Sequence, residues 1–224
     1  MPAFQVTFVN DTESTWTMAA FQTQPGSVGL ASVSWMQAAA PRNGRNVISW
    51  EATYDVALAV YQRSDGATVY SLRQILSAAV GTAWKVVFAN GALQLQADGQ
   101  ALTKDTLVIR NVSRTVVTAG LGMSGAGAIY RPDLPSGAGV QFSPPTTSWV
   151  ALFDAIEPGR LITDRQPSGS AMASRLTTFV GPVQLSFPGN VFAATVTATL
   201  GDGYIALETA YGKPPVVEAM RRRG

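Results

Sequence analysis

Residues 84–98, WKVVFANGALQLQAD, contain two alternating segments that are joined by Asn90-Gly91. Alternation of apolar and polar residues with a period of two is typical of β-strands that bury one face. Asn-Gly favours a two-residue turn of type I′, because both residues tolerate the positive φ angles of this turn. The segment therefore predicts a β-hairpin.

The same alternating pattern recurs along most of the chain, with turn-forming residues between the segments. Asp98-Gly99 and Asp202-Gly203 indicate two further hairpin turns. Residues 71–81, SLRQILSAAVG, instead have the apolar spacing of a helix, which predicts a short helix or turn at one end of the fold. The strand predictions are residues 4–10, 15–22, 46–52, 55–62, 84–89, 92–98, 105–111, 115–121, 139–144, 149–155, 182–187, 192–200 and 204–210.

The two halves of the chain resemble each other, which indicates an internal duplication. We predict an all-β fold, a β-sandwich built from two tandem, related units of Greek-key or immunoglobulin-like type. The predicted units are residues 1–104 and 105–212, followed by a basic C-terminal tail, 213–224. The similar segments are VTFVNDTE (6–13) and LVIRNVSR (107–114), Trp35 with Pro41 and Tyr130 with Pro135, Val56–Leu58 and Val150–Leu152, and VVFANGALQLQA (86–97) and LSFPGNVFAATV (185–196).

The composition argues against most catalytic chemistry. The 224 residues include no Cys and no His, which removes thiolate nucleophiles, the commonest general base and most transition-metal ligands. Only 13% of the residues are charged, against about 25% in ordinary domains, so self-association meets little electrostatic repulsion. We expect no cofactor and no enzyme activity.

Charge and hydropathy also restrict the partners. A net charge of +2 is too small to indicate nucleic-acid binding, and much of the excess lies in Arg221–Arg223. The longest apolar run, residues 56–61, is far shorter than the roughly 20 residues of a transmembrane helix. The N-terminal residues lack the pattern of a secretory signal. We expect a cytoplasmic protein, or one exported without a signal.

The glycines of GLGMSG (120–125) have the G-x-G-x-x-G spacing of a dinucleotide-binding loop. Such a loop must lead into a helix, whereas Pro132 and Pro135 follow here. We therefore interpret the glycines as a β-bulge, or a close approach between backbones, at a sheet edge. Asn10 and Asn111, each followed two residues later by Thr or Ser, predict equivalent Asx-turns.

Aromatic side chains are the best candidates for a binding surface, because Trp and Tyr rings stack on sugars or lie at interfaces. Trp35 and Tyr130 occupy matching places before Pro-containing loops, and we expect both to be exposed; Trp16 and Trp149 are further candidates. Packing in the core is the competing explanation for each. Asp154, Glu157 and Asp164 would have to converge in a cleft to support glycoside hydrolysis, and their spacing does not fix this.

The second half contains three distinctive segments, GLGMSGAG (120–127), residues 142–164 and residues 183–200. These segments resemble the RhiA family of bacterial proteins, and residues 7–26 resemble its N-terminal part more loosely. The resemblance extends to about Tyr211 and implies an abundant bacterial protein, in known cases linked to quorum sensing and the rhizosphere. It implies no catalytic residues. The matching segments are 120–127, 142–164 and 183–200, and their most specific residues are Gly120, Gly122, Met123, Ser124, Gly125, Gly127, Phe187, Pro188, Gly189 and Asn190.

These observations favour a non-enzymatic, structural protein that self-assembles into a homo-oligomer or polymer through exposed strand edges. The alternative is a lectin-like module that binds a carbohydrate or a cell surface through exposed aromatic side chains. Exposure of Trp35 and Tyr130 would distinguish the two, because the binding module requires it.

Overall fold

The computed structural model describes residues 3–22, 29–64, 67–144, 147–162 and 179–212. Within these ranges the protein is all-β, as predicted, and contains no helix. The described strands are β1 (Ala3–Asp11), β2 (Trp16–Phe21), β3 (Ala31–Ser32), β4 (Met36–Ala40), β5 (Gly44–Glu51), β6 (Tyr54–Ser64), β7 (Ala67–Ser77), β8 (Thr82–Ala89), β9 (Ala92–Gln100), β10 (Leu107–Asn111), β11 (Val117–Met123), β12 (Ala126–Leu134), β13 (Gly139–Phe142), β14 (Ser148–Phe153), β15 (Phe179–Leu185), β16 (Ala193–Gly201) and β17 (Tyr204–Tyr211).

The described strands form four sheets. Sheet I has the order β17-β16-β1-β5, and sheet II has the order β15-β14-β2-β4. Sheet III has the order β13-β10-β8-β9, and sheet IV has the order β3-β12-β11-β6-β7. Outside the ladders, strands of sheet I contact strands of sheet II, and strands of sheet III contact strands of sheet IV.

Every sheet combines strands from before and after the predicted boundary at 104/105. β1 pairs in parallel with β16, and β10 pairs in parallel with β8, so each half receives its parallel partner from the other half. The central ladders show the same exchange, because β2 pairs with β14 and β11 pairs with β6. The boundary therefore separates the sequence repeats but does not separate the sheets.

The register of these ladders matches the repeat proposed from the sequence. Ala19 of β2 lies opposite Ala151 of β14, and Gly120 of β11 lies opposite Ala57 of β6. These are corresponding positions when Asn10 is matched with Asn111 and Pro41 with Pro135. The two halves therefore repeat the same strand pairing, each with strands of the other.

The two predicted Asx-turns are present and extend into equivalent buried networks. Asn10 Oδ1 accepts hydrogen bonds from the backbone N–H and the hydroxyl of Thr12, and Asn10 Nδ2 donates to the carbonyl of Ala40. Asn111 Oδ1 accepts the same two bonds from Ser113, and its Nδ2 donates to the carbonyl of Leu134. Each asparagine thereby joins a strand end to the strand that precedes Pro41 or Pro135.

Residues 71–81 were predicted as a helix or turn, and this prediction is wrong. Ser71–Ser77 belong to β7, and the register with β6 shifts between Leu58 and Ala59, which leaves Arg73 without an opposite residue. This β-bulge adds one residue to the strand between Leu72 and Ile75. The two apolar residues are therefore three positions apart, as in a helix, and not the two positions that are typical of a strand.

One of the three predicted hairpin turns is also corrected. Asn90-Gly91 and Asp202-Gly203 form hairpin turns with positive φ angles, whereas Asp98-Gly99 lies inside β9 beside a register shift.

The predicted equivalence of residues 86–97 and 185–196 is also wrong. The first segment is one hairpin of sheet III, and the second links β15 of sheet II to β16 of sheet I.

Candidate functional site

The Gly-Met-Ser-Gly stretch lies at the end of β11 and in the turn to β12. Ser124 and Gly125 both have positive φ angles, which gives the type I′ geometry that favours glycine. Ser124 Oγ donates to the carbonyl of Glu51 and accepts from its N–H, both at 2.9 Å. The Gly125 N–H donates to the Asp55 carboxylate at 2.8 Å. The turn is thereby fastened to the connection between β5 and β6.

The remaining motif glycines allow close packing. A Cβ on Gly120 would collide with the Tyr130 ring and the carbonyl of Ile129, and one on Gly127 would collide with the Tyr130 hydroxyl. The register of β11 and β12 shifts between Leu121 and Gly122, so both the predicted bulge and the predicted close approach are present. Their predicted place is wrong, because β11 lies inside sheet IV and not at its edge.

The predicted exposure of Trp35 and Tyr130 is wrong. Trp35 retains 5% of its accessible surface and Tyr130 retains 2%. Trp35 packs edge-on against Trp50, and Tyr130 stacks on Tyr70 with ring centroids 5.0 Å apart. Trp16 is also buried, and Trp149 is half-buried. These aromatic side chains stabilise the core, which removes the main support for a lectin-like surface built from them.

The carboxylates proposed for glycoside hydrolysis are not brought together by the described structure. Asp154 and Glu157 are both exposed in the segment after β14. Asp164 lies outside the described residues. The described part of the chain contains no group of three or more acidic side chains placed to hold a metal ion.

The structure does bring the two most specific family segments together, at a pocket of about 250 Å³. Met123 comes from the glycine motif, and Phe187 precedes the turn formed by Pro188, Gly189 and Asn190. We call this cavity the aromatic pocket. Its lining residues are Phe4, Gln22, Trp50, Ala52, Tyr54, Met123, Ser148 and Phe187.

Aromatic rings form one wall of the aromatic pocket. Phe4 of β1 lies opposite Trp50 of β5 in the ladder, and the two rings stack with centroids 5.6 Å apart. Phe187 packs against both rings, at 4.9 Å from Phe4 and 5.9 Å from Trp50. This wall is formed by sheet I and by the segment after sheet II.

The opposite part of the pocket is formed by residues that correspond in the two repeats. Gln22 and Met123 are equivalent positions after β2 and at the end of β11, and Gln22 Nε2 donates to Met123 Sδ at 4.0 Å. Tyr54 and Ser148 are likewise equivalent first residues of β6 and β14. The pocket is thus lined by strands of both halves, including residues at corresponding positions.

The electrostatics of this region are dominated by burial. All eight lining residues are uncharged. Burial raises the pKa of the neighbouring Asp55 carboxyl, and the hydrogen bond from the Gly125 N–H partly opposes this shift. Burial also raises the pKa of the Tyr54 hydroxyl. The aromatic pocket is therefore suited to neutral molecules and not to ions.

A second cavity, of about 370 Å³, lies on sheet IV beside β9 and includes Arg73 and Asp133 in its lining. Tyr61 donates its hydroxyl hydrogen to the Asp133 carboxylate at 2.8 Å. Desolvation of Tyr70, together with the nearby negative charge, raises its pKa to about 12. This groove is partly exposed and mixes aliphatic side chains with Arg73 and Asp133, and none of the family-specific residues is among those that line it.

Sequence analysis missed Gln22, Phe4 and Tyr54 as pocket residues. Gln22 lies in a predicted strand and carries no motif, so only its burial at 1% exposure identifies it. The aromatic residues at positions 4 and 54 are spaced like ordinary core residues. The one available signal was that Met123 and Phe187 both belong to the family-specific residues.

The fold and the site together define an all-β protein whose described strands form four sheets, with an uncharged pocket lined by described residues of both halves. No helix in the described part of the chain is long and apolar enough to cross a membrane. The chain belongs to the RhiA family, whose model matches residues 1–207. None of the curated proteins and none of the solved structures matches this chain.

Proposed function

We propose that this RhiA-family chain is a non-enzymatic structural protein that self-assembles through the edge strand β17. In this proposal the four sheets make two related sandwich units of Greek-key or immunoglobulin-like type, and β17 of one copy pairs with a second copy. The observation that carries the proposal is the long, nearly uncharged edge of sheet I.

β17 has the features of an edge that templates strand pairing. It contains eight residues, and among the described strands it pairs only with β16, in an unbroken register from Gly201 opposite Tyr204 to Ala194 opposite Tyr211. Glu208 is its single charged residue, and Tyr204 is 63% exposed. Natural edges are usually protected by lysine, proline or a bulge, and β17 has none of these.

The corresponding edge of the other repeat is protected. β9 occupies in sheet III the place that β17 occupies in sheet I. A register shift interrupts β9 near Gly99, and the Leu95 N–H already donates to Gln74 Oε1 of β7 at 2.8 Å. The contrast between equivalent strands favours β17 as the assembling edge.

The test is a substitution that removes one outward N–H from β17. The Gly212 N–H donates to the carbonyl of Ala193, so alternation along the antiparallel ladder directs the Thr209 N–H away from β16. Thr209→Pro removes this donor without breaking the ladder inside the molecule. Thr209→Val is the matched control, since it keeps the N–H and the shape of the side chain.

We expect the unmodified protein to exceed the chain mass of 23.6 kDa in light scattering behind size exclusion, and to form regular particles in negative stain. Thr209→Pro should shift it towards the monomer, while Thr209→Val should not. A monomeric unmodified protein would refute self-assembly. If a folded Thr209→Pro variant assembles as before, the role of β17 is refuted, but self-assembly itself is not.

Two parts of the proposal rest on other grounds. The absence of Cys and His from the sequence supports a non-enzymatic protein. Production under cell-density control in plant-associated life follows from the family resemblance, and transcript levels measured across growth would test it. A lectin-like function is not advanced, because Trp35 and Tyr130 are buried.

A further inference from the structure

We infer that the aromatic pocket is a binding site for a small, neutral, largely apolar molecule that carries one hydrogen-bond donor. The inference is independent of self-assembly, because no pocket residue belongs to β17.

The walls determine the apolar character of the ligand. Phe4, Trp50 and Phe187 offer ring faces and edges on one side, and Met123 offers a polarisable thioether on the other. Aromatic and sulfur-containing walls of this kind favour flat, apolar molecules. The volume of about 250 Å³ is below the roughly 300 Å³ at which drug-sized pockets begin, so one or two rings fill it.

Gln22 determines the polar requirement. The side chain is 1% exposed, and its Oε1 has no hydrogen-bond partner among the described residues. Its Nε2 already donates to Met123 Sδ, which leaves the oxygen as the free end of the amide. Burial of an acceptor without a partner costs free energy, and the folded protein already bears this cost. A ligand that donates a hydrogen bond to Oε1 removes the cost and therefore binds more tightly.

Because none of the described lining residues carries a charge, we expect a neutral ligand. None of the eight lining side chains is ionisable near neutral pH, and burial raises the pKa of Tyr54 further. An ionised ligand would lose its hydration without gaining a counter-charge. Phenols, indoles and primary or secondary amides of suitable size fit these requirements.

The test uses two probes that differ in the donor alone. Binding of 2-naphthol, which carries a hydroxyl donor, is compared with binding of 2-methoxynaphthalene by calorimetry and by saturation-transfer NMR on the full chain. We expect 2-naphthol to bind roughly tenfold more tightly, which is the ratio that one buried hydrogen bond gives.

Variants locate the binding. Gln22→Met keeps the side-chain length and removes the acceptor, so the preference for 2-naphthol should disappear while 2-methoxynaphthalene binds within about threefold of its original affinity. Ala52→Leu narrows the pocket and should weaken both probes. Phe88→Ala is the control, because Phe88 is 60% exposed and lies outside the pocket.

The outcomes decide the inference directly. Failure of the unmodified protein to bind either probe would overturn it, and so would a preference for 2-naphthol that survives in Gln22→Met. Equal weakening by Phe88→Ala would assign the binding to exposed surface and would also overturn it. If Gln22→Met does not fold, the probe pair on the unmodified protein and on Ala52→Leu still decides.

Discussion

Replacement of Asn111 by Ala tests the buried contacts that join the end of β10 in sheet III to β12 in sheet IV. Asn111 is fully buried, and its side chain makes four hydrogen bonds to Ser113, Thr115 and Leu134 at 2.6 to 3.0 Å. The substitution leaves two carbonyl oxygens, the Ser113 N–H and the Ser113 hydroxyl without these partners. Each unsatisfied buried group costs about 1–3 kcal/mol, and partial hydration of Thr115 lowers the total, so we expect a loss of about 3–5 kcal/mol.

The assay is urea unfolding followed by tryptophan fluorescence and circular dichroism at constant protein concentration. Asn10→Ala should cost about as much, because Asn10 makes the equivalent bonds to Thr12 and Ala40. Asn46→Ala is the control, since Asn46 makes its hydrogen bonds on the exposed surface, and its loss should stay below about 1 kcal/mol. An Asn111→Ala loss no larger than that of Asn46→Ala would refute the reasoning.

Two further predictions concern the glycine motif and its neighbour. Gly120→Ala should lower the free energy of unfolding in urea by about 2–3 kcal/mol, because the new Cβ meets the Tyr130 ring and a backbone carbonyl. In the control, Gly201→Ala, the new Cβ meets nothing, and the loss should stay under about 0.5 kcal/mol. Equal losses in the two variants would contradict this explanation. Burial raises the pKa of Asp55, so the folded state holds its proton above the ordinary value of 3.8, and stability falls as pH rises from there. Asp55→Asn is neutral and still accepts from Gly125, so its stability relative to the unmodified protein should improve as the pH rises above the ordinary pKa of 3.8. A change of opposite sign would exclude this explanation.

Local pattern was sufficient to predict the fold class and much of the turn chemistry. Asn90-Gly91 forms the predicted turn because alternating strands on both sides agree with the geometry that the two residues favour. Residues 71–77 were misassigned because the bulge at Arg73 changes the spacing of apolar residues without changing the strand. The bulge depends on pairing with β6, which local sequence does not contain.

The exchange of strands between halves was not predicted for a related reason. A repeat in the sequence shows that two segments resemble each other, but it does not show whether each pairs with its own neighbours. The parallel pairing of β1 with β16 joins Asn10 to Ala198, which are separated by most of the chain. Such a contact leaves no local signal beyond the apolar alternation of each strand.

The candidate site was the hardest part to predict, because exposure and burial are tertiary properties. Trp35 and Tyr130 were predicted to be exposed, but each is buried in a different part of the core, Trp35 against Trp50 and Tyr130 against Tyr70. Gln22 was overlooked because a lone polar residue in a strand is ordinarily placed on the solvated face. Its unpartnered oxygen becomes informative only when its burial is known.

The position of the aromatic pocket follows from the duplication. A repeat that exchanges strands creates a junction where corresponding residues of both halves face each other, as Gln22 and Met123 do. Because the two positions are no longer identical, one supplies a hydrogen-bond acceptor and the other an apolar contact. The stacked rings of Phe4 and Trp50 come from sheet I, and Phe187 joins them from the segment after sheet II. The two equivalent positions therefore carry different side chains, and the cavity between them is asymmetric. An asymmetric cavity suits a single small ligand with one hydrogen-bond donor.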